Sequence, residues 1–315
     1  MFDETDGSGP LFETRWLERI ETSRLFSLRG KVAIVTGGAG GIGRWLSAGL
    51  ATAGAAVVVT DRDAKATEAV AGALVDVGLR AVPLVVDLEN GDAAAQIVGA
   101  TVERLGRVDV LINNAGINAR IPMLEVTTEL LEHVWRIDYI RGYELSQAAA
   151  RVMIAQGGGA IIHISSLNNS IGLEDVSMLG PTKAALSQLA KGMTVEFGHL
   201  GVRTNAIAPG FMATPMNAGH WTHETRAPWI MDRTPMCRPG HPAELVGACL
   251  LLASDAGSFV SGQTIFVDGG FTAGSRWNVA PGTGLRTYQE RYAAGLGDDA
   301  VACGEGLGVV AGLGE

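Results

Sequence analysis

Along the chain, short runs that are apolar at nearly every position alternate with longer stretches where apolar side chains recur at helical spacing. The runs are Lys31–Thr36, Ala56–Thr60, Ala81–Val86, Val108–Ile112, Ala160–Ser165, Val202–Ala208 and Gln263–Val267. Continuous rather than alternating Val, Ile, Leu and Ala is the pattern of strands covered on both faces of a parallel sheet. Helical segments are expected at 42–54, 63–78, 91–106, 127–156, 175–199 and 242–254. Seven strands interleaved with six helices predict an α/β fold with a doubly wound, seven-stranded parallel sheet and helices on both faces. The ends leave this rhythm. Residues 1–29 form a charged extension with a helix expected near Glu13–Arg24. Residues 274–315 form a tail with nine glycines after residue 275, read as loosely packed surface or as an arm over the site or a partner subunit. The core domain is placed at 30–273.

Composition narrows the class. A 47% hydrophobic and 18% charged chain is too apolar for disorder. Its 43 glycines among 315 residues are about twice ordinary usage but show no three-residue period, so collagen is excluded. A net charge of −9 disfavours binding to a phosphate backbone, and no nucleic-acid partner is expected. The three cysteines (Cys237, Cys249 and Cys303) fit a reducing compartment better than a disulfide framework. With no leader-like N-terminus and no apolar run of membrane-spanning length, the expectation is a cytoplasmic protein without membrane attachment.

The glycines concentrate where chemistry is expected. The first strand ends in Thr36-Gly37-Gly38-Ala39-Gly40-Gly41-Ile42-Gly43 and a helix opens directly after it. Such a turn lets backbone approach a pyrophosphate, and the helix N-terminus offers free N–H groups and a positive dipole end. Asp61, at the end of the second strand, can accept from ribose hydroxyls and would repel a 2′-phosphate, which favours NAD over NADP; Arg62 beside it could instead pair with that phosphate. Asp87, at the end of the third strand, is placed to reach an adenine amino group or simply to cap a helix.

Taken with Asn113-Asn114-Ala115-Gly116, Asn205-Ala206-Ile207-Ala208-Pro209-Gly210 and Val267-Asp268-Gly269-Gly270, the Thr36–Gly43 turn resembles the classical short-chain dehydrogenase/reductase family over residues 30–273. The resemblance implies a Rossmann-type domain and a nicotinamide cofactor. Its contacts would fall on Gly37, Gly40, Gly41, Ile42, Gly43, Asp61, Arg62, Asp87, Leu88, Asn114, Ala115, Gly116, Lys183, Pro209, Gly210, Met212 and Thr214. It also implies a small-molecule substrate and a homo-oligomer, a dimer or tetramer built through the long helices.

The family's chemistry uses a Ser, a Tyr, a Lys four residues after the Tyr, and an Asn on the preceding long helix. Ser166 matches the serine and Lys183 the lysine. The tyrosine position holds Leu179, and the longer spacing of the enoyl-carrier-protein reductases lands on Val176. Counting back from Gln147 places Asp138 at the Asn position. A leucine exchanges no proton, so three outcomes stand open. Asp138 acting with Lys183, or Tyr139, Tyr143, His220 or His223, could serve as the acid/base. The reaction could be reduction of a C=C bond, as in dienoyl-CoA reductases. Or the protein could bind NAD without turnover. The main expectation is hydride transfer at an alcohol or carbonyl with Ser166, Lys183 and Asp138 as the catalytic groups. Residues 211–240, rich in Pro, Met and Trp, are read as a lid over a partly apolar substrate. His220, His223, Cys237 and His241 lack a completing carboxylate, so no metal is expected. His163 is read as a core residue.

Overall fold

A computed structural model describes residues 17, 18 and 20–274. The expected tail therefore lies almost wholly outside the described residues, as do positions 13–16 and 19 of the expected first helix; within it positions 17 and 18 are helical and α1 spans Thr22–Leu25.

The strands are β1 (Val32–Thr36), β2 (Ala56–Asp61), β3 (Ala81–Val85), β4 (Val110–Asn113), β5 (Gly159–Ile164), β6 (Val202–Pro209) and β7 (Thr264–Val267). They form one sheet in the order β3-β2-β1-β4-β5-β6-β7, with every neighbouring pair parallel. The helices are α2 (Gly43–Thr52), α3 (Ala64–Asp76), α4 (Ala93–Leu105), α5 (Thr128–Trp135), α6 (Arg141–Ala155), α7 (Leu179–Phe197), α8 (Ala218–Trp221), α9 (Arg226–Arg233) and α10 (Val246–Ala253). Alternate strand residues feed two separate cores. Ala33, Val35, Val57, Val59, Ile112 and Ile162 pack with Leu46 and Leu50 of α2, Leu74 of α3 and Leu252 of α10. Ile34, Val58, Leu111 and Ile161 pack on the other face with Ile97 of α4, Leu145 and Met153 of α6 and Met193 of α7. Two buried faces explain why the central strands are apolar at most positions rather than at alternate ones.

Three helix expectations are corrected. The single helix at 127–156 is interrupted by a π-helical segment, Arg136–Ile140, between α5 and α6. The helix expected from 175 starts at Leu179, because Asp175 has φ +63°, outside the helical region. The segment from 242 opens as a 3-10 turn, Pro242–Leu245, before α10. The strand order reverses between β1 and β4, so their carboxyl ends splay apart into a crevice, which is where ligands bind in such sheets.

Candidate active site

The crevice begins at the turn after β1. Gly37 has φ +59°, and a Cβ on Gly43 would collide with the Gly37 carbonyl oxygen. A Cβ on Gly41 would lie 2.8 Å from the Thr214 side chain. Glycine is required at these positions to keep the backbone cradle open. Across the switch point, Asn114 donates from Nδ2 to the carbonyls of Thr36 and Gly37, both at 3.0 Å. The Thr36 hydroxyl accepts from the backbone N–H of Asn114 at 3.0 Å and of Ala115 at 3.1 Å. The two strand ends are thus locked around a cavity of about 410 Å³, within the range of cofactor sites.

Gly37, Gly40, Gly41, Ile42, Asp61, Arg62, Asp87, Leu88, Asn114, Ala115, Gly116, Pro209, Gly210 and Thr214 all line this cavity. Asp61 Oδ1 accepts from the N–H of Arg62 at 2.8 Å, which fixes the carboxylate at the end of β2. Two expected contacts do not line it. Gly43 lies beneath the turn, against Gly37. Met212 is 2% exposed and packs into the core, because residues 211–213 bridge Gly240: Gly240 donates to Phe211 O at 2.9 Å and Ala213 to Gly240 O at 2.8 Å.

At the other end stand Ser166, Leu179, Lys183 and Asp138, all in the cavity wall. Lys183 projects from the second turn of α7, and its Nζ lies 3.2 Å from Asp138 Oδ2. The Asp138 side chain is fully buried and that of Lys183 is 10% exposed. Asp138 Oδ1 accepts from the N–H of Ile117 at 2.7 Å, just past the Asn113–Gly116 motif. A Cβ on Gly116 would lie 3.2 Å from both Asp138 carboxylate oxygens and from Lys183 Nζ, so glycine lets the strand end approach the ion pair. Ser165 donates to Lys183 O at 2.8 Å and fixes the helix start to β5. Ser166 accepts from the Asn168 N–H at 3.2 Å.

The other acid/base candidates stand apart. Tyr139 stacks edge-on against Trp135 at 5.5 Å, Tyr143 is 46% exposed, and neither lines the cavity. His220 is buried edge-on to Phe211 at 6.0 Å. Burial, with the positive charges of Arg120 and Arg226 and with His223, pushes its pKa down to about 4. His163 is fully buried beneath the site, its Nδ1 3.2 Å from Asn113 Nδ2. Burial, reinforced by Lys183, pushes its pKa down to about 3, so the ring is neutral. Among the described residues no group of three or more His, Cys, Asp or Glu side chains could hold a metal ion.

Sequence reasoning missed Asn118, Arg120, Phe211 and Asn217 in the cavity wall. Arg120 is the consequential one: burial and Arg226 hold its pKa below the usual guanidinium value, with Asp175 partly offsetting them. The available signal was a lone cation in the loop after β4, at the carboxyl edge of the sheet.

A family profile described as enoyl-(acyl carrier protein) reductase matches residues 37–272. The chain is 38% identical to the gluconate 5-dehydrogenase of Gluconobacter oxydans (strain 621H) over 248 residues, covering 79% of this chain and 97% of that protein. It resembles the crystal structure of a gluconate 5-dehydrogenase from Burkholderia cenocepacia J2315 in complex with NADP and tartrate, with TM-score 0.77, 36% identity, and coverage of 80% of this chain and 99% of that one. A 7α-hydroxysteroid dehydrogenase complexed with NADH and 7-oxo glycochenodeoxycholic acid aligns with TM-score 0.76, 31% identity, and coverage of 82% and 99%.

Proposed function

The chain belongs to the short-chain dehydrogenase/reductase family, an NAD(P)-dependent oxidoreductase acting on CH–OH or C=O, and from that premise we propose a hydroxy-acid dehydrogenase whose proton-transfer group is a buried carboxylate. The observation that carries the reading is the Lys183 Nζ–Asp138 Oδ2 ion pair at 3.2 Å, inside the cavity and beside a Leu179 that can move no proton.

When bound, the nicotinamide dinucleotide supplies or accepts the hydride. The open turn from Gly37 to Ile42 would hold its pyrophosphate, Asp61 its adenosine ribose, Asp87 and Leu88 its adenine, and Pro209, Gly210 and Thr214 its nicotinamide end. The Asp61 carboxylate supports NAD as the preferred form, since an anion there opposes a 2′-phosphate; Arg62 and the NADP-bound relative support NADP. Lys183 anchors the nicotinamide ribose. Ser166 orients the substrate oxygen. On oxidation the hydroxyl proton passes by way of Lys183 Nζ to Asp138 Oδ2, and on reduction it returns along the same path.

Arg120 supports an anionic substrate. It is a cation in the cavity wall that feels the like charge of Arg226, so a carboxylate would relieve both. The ligands named with the two similar structures, tartrate and 7-oxo glycochenodeoxycholic acid, are both carboxylic acids. Leu167, Leu173, Leu179, Phe211 and Met216 in the wall support a partly apolar body. Exposed Leu131, Ile140 and Tyr143 on α5, the π segment and α6 support assembly of two or four copies through these helices. The buried thiol of Cys249 fits a reducing, cytoplasmic compartment.

The test is a panel of hydroxy acids, matched neutral alcohols and enones, assayed with NAD and NADP at the reduced-nicotinamide absorbance. Hydroxy acids should turn over, and Arg120→Gln should raise their KM about tenfold or more while leaving neutral alcohols unchanged. Activity on enones alone would establish C=C reduction, the reading that Leu179 and the family description also support. Tight cofactor binding with no turnover of any class would establish a non-catalytic nucleotide-binding protein.

A further inference from the structure

We propose that Arg141 is a positioning residue that holds the adenine end of the cofactor cleft in its binding shape. After β3 the chain turns back at Asp87–Asn90: Glu89 donates to Asp87 Oδ1 at 3.0 Å and Asn90 to Asp87 O at 3.1 Å. Val86, Asp87, Leu88 and Glu89 line the cavity. Val86 donates to Asp61 O at 3.1 Å and Leu88 packs against the second core, and Arg141 adds a charged tie to the carbonyls of the turn. Its Nε donates to Leu88 O at 2.6 Å and its Nη2 to Glu89 O at 3.3 Å, while Nη1 donates to Glu144 Oε2 at 2.6 Å. The side chain is only 10% exposed, so these are shielded, charge-assisted bonds. Only a planar guanidinium can span two successive carbonyls and a carboxylate at once. A lighter second strap comes from α5, where His133 Nδ1 lies 3.2 Å from Glu89 Oε1.

The placement of Arg141 gives the strap its meaning. It is the first residue of α6, directly after the π segment that carries Asp138. Three residues apart, one side chain grips Lys183 at the reacting end and the other grips the turn at the adenine end. The inference rests on a dinucleotide occupying this cleft. It adds what keeps Asp87 and Leu88 where adenine needs them.

The experiment is calorimetric binding of ADP-ribose and of nicotinamide mononucleotide to the full chain and to Arg141→Met, with amide hydrogen exchange on both proteins. ADP-ribose should bind about tenfold more weakly to the variant, and the mononucleotide within about twofold of the parent. The amides of Glu89 and Asn90 should exchange faster while those of β1 stay unchanged. Arg141→Lys, a point charge that cannot span both carbonyls, should fall between; if the Met variant does not fold, the Lys variant decides. Unchanged ADP-ribose affinity in a folded variant would overturn the proposal. So would equal losses for both fragments with faster exchange across the sheet, which would mean a general structural role. Failure of the parent chain to bind either ADP-ribose or NADH would remove the dinucleotide from the cleft, and this inference with it.

Discussion

Replacing Asp138 with Asn separates charge from shape at the reacting end of the cleft. Asparagine keeps an oxygen for the Ile117 N–H, now 2.7 Å from Asp138 Oδ1, but leaves Lys183 without its counter-charge at 3.2 Å. With an effective dielectric of 20 the attraction lost is about 5 kcal/mol. The variant no longer pays for desolvating the carboxylate, so the net loss is smaller. Removing one partner of a buried pair costs about 3–5 kcal/mol, and the retained Ile117 bond places Asp138→Asn near 3 kcal/mol. For a domain of this size that is roughly 6–12 °C in Tm, readable by calorimetry. Turnover should fall further than stability implies. At a temperature where the variant is fully folded, loss of the proton acceptor should lower kcat by about a hundredfold or more. The NADH dissociation constant should change little, because Lys183 remains. A folded variant with kcat within about threefold of the parent would refute Asp138 as the proton carrier. A Tm unchanged within error would refute the claim that the pair stabilises the fold.

Two further predictions concern neighbours of this pair. Leu179→Tyr places a phenol at the mouth of α7, in the cavity wall. If the carboxylate carries the proton, the larger ring obstructs the substrate and kcat/KM falls about tenfold; a comparable rise would show a dehydrogenase impaired by loss of its tyrosine. His163 has a folded pKa of about 3 against 6.5 in the unfolded chain, so the unfolded chain takes up the proton first. The stability of the neutral ring is complete above pH 6.5 and is lost as pH falls toward 3. In urea titrations between about pH 4.5 and 6, His163→Gln should flatten the dependence of unfolding free energy on pH by up to about 1.4 kcal/mol per unit. Equal slopes in the two proteins would show that the ring does not titrate this way.

The sheet was legible because burial on both faces leaves a clear trace: β1, β4 and β5 are apolar apart from Thr36, Asn113 and His163, and every expected strand lies within two residues of the observed one. The glycine turn was legible because much of its constraint is local, set by the positive φ of Gly37 and by the approach of Gly43 to the Gly37 carbonyl. Met212 was not, because its direction is set by a bridge to Gly240, twenty-eight residues on. Arg120 escaped notice for the same reason, since its charged neighbours lie on the loop near residue 175 and on α9. Arg141 meets carbonyls more than fifty residues earlier in the chain. A side chain whose partners are remote in sequence leaves no periodicity to read.

The π segment shows how these remote contacts are reconciled. Between Arg136 and Ile140 the backbone bonds span one residue more than in an α-helix, so residues after the segment are rotated relative to those before it. Each such turn is costlier than an α-turn, and these turns persist where a side chain must be re-aimed. Here Asp138 lies within the segment and reaches Lys183, while Arg141 follows it and reaches the turn after β3. On an uninterrupted helix, residues three apart share one face, but these two must reach opposite ends of one cleft. Deleting one residue from 136–140 should restore a continuous helix at the expense of at least one of the two contacts. Faster exchange of the Glu89 amide, or a Lys183→Met substitution that no longer costs stability, would show which was lost. A deletion variant that keeps both the slow exchange and the full cost of Lys183→Met would refute the link between the segment and the site.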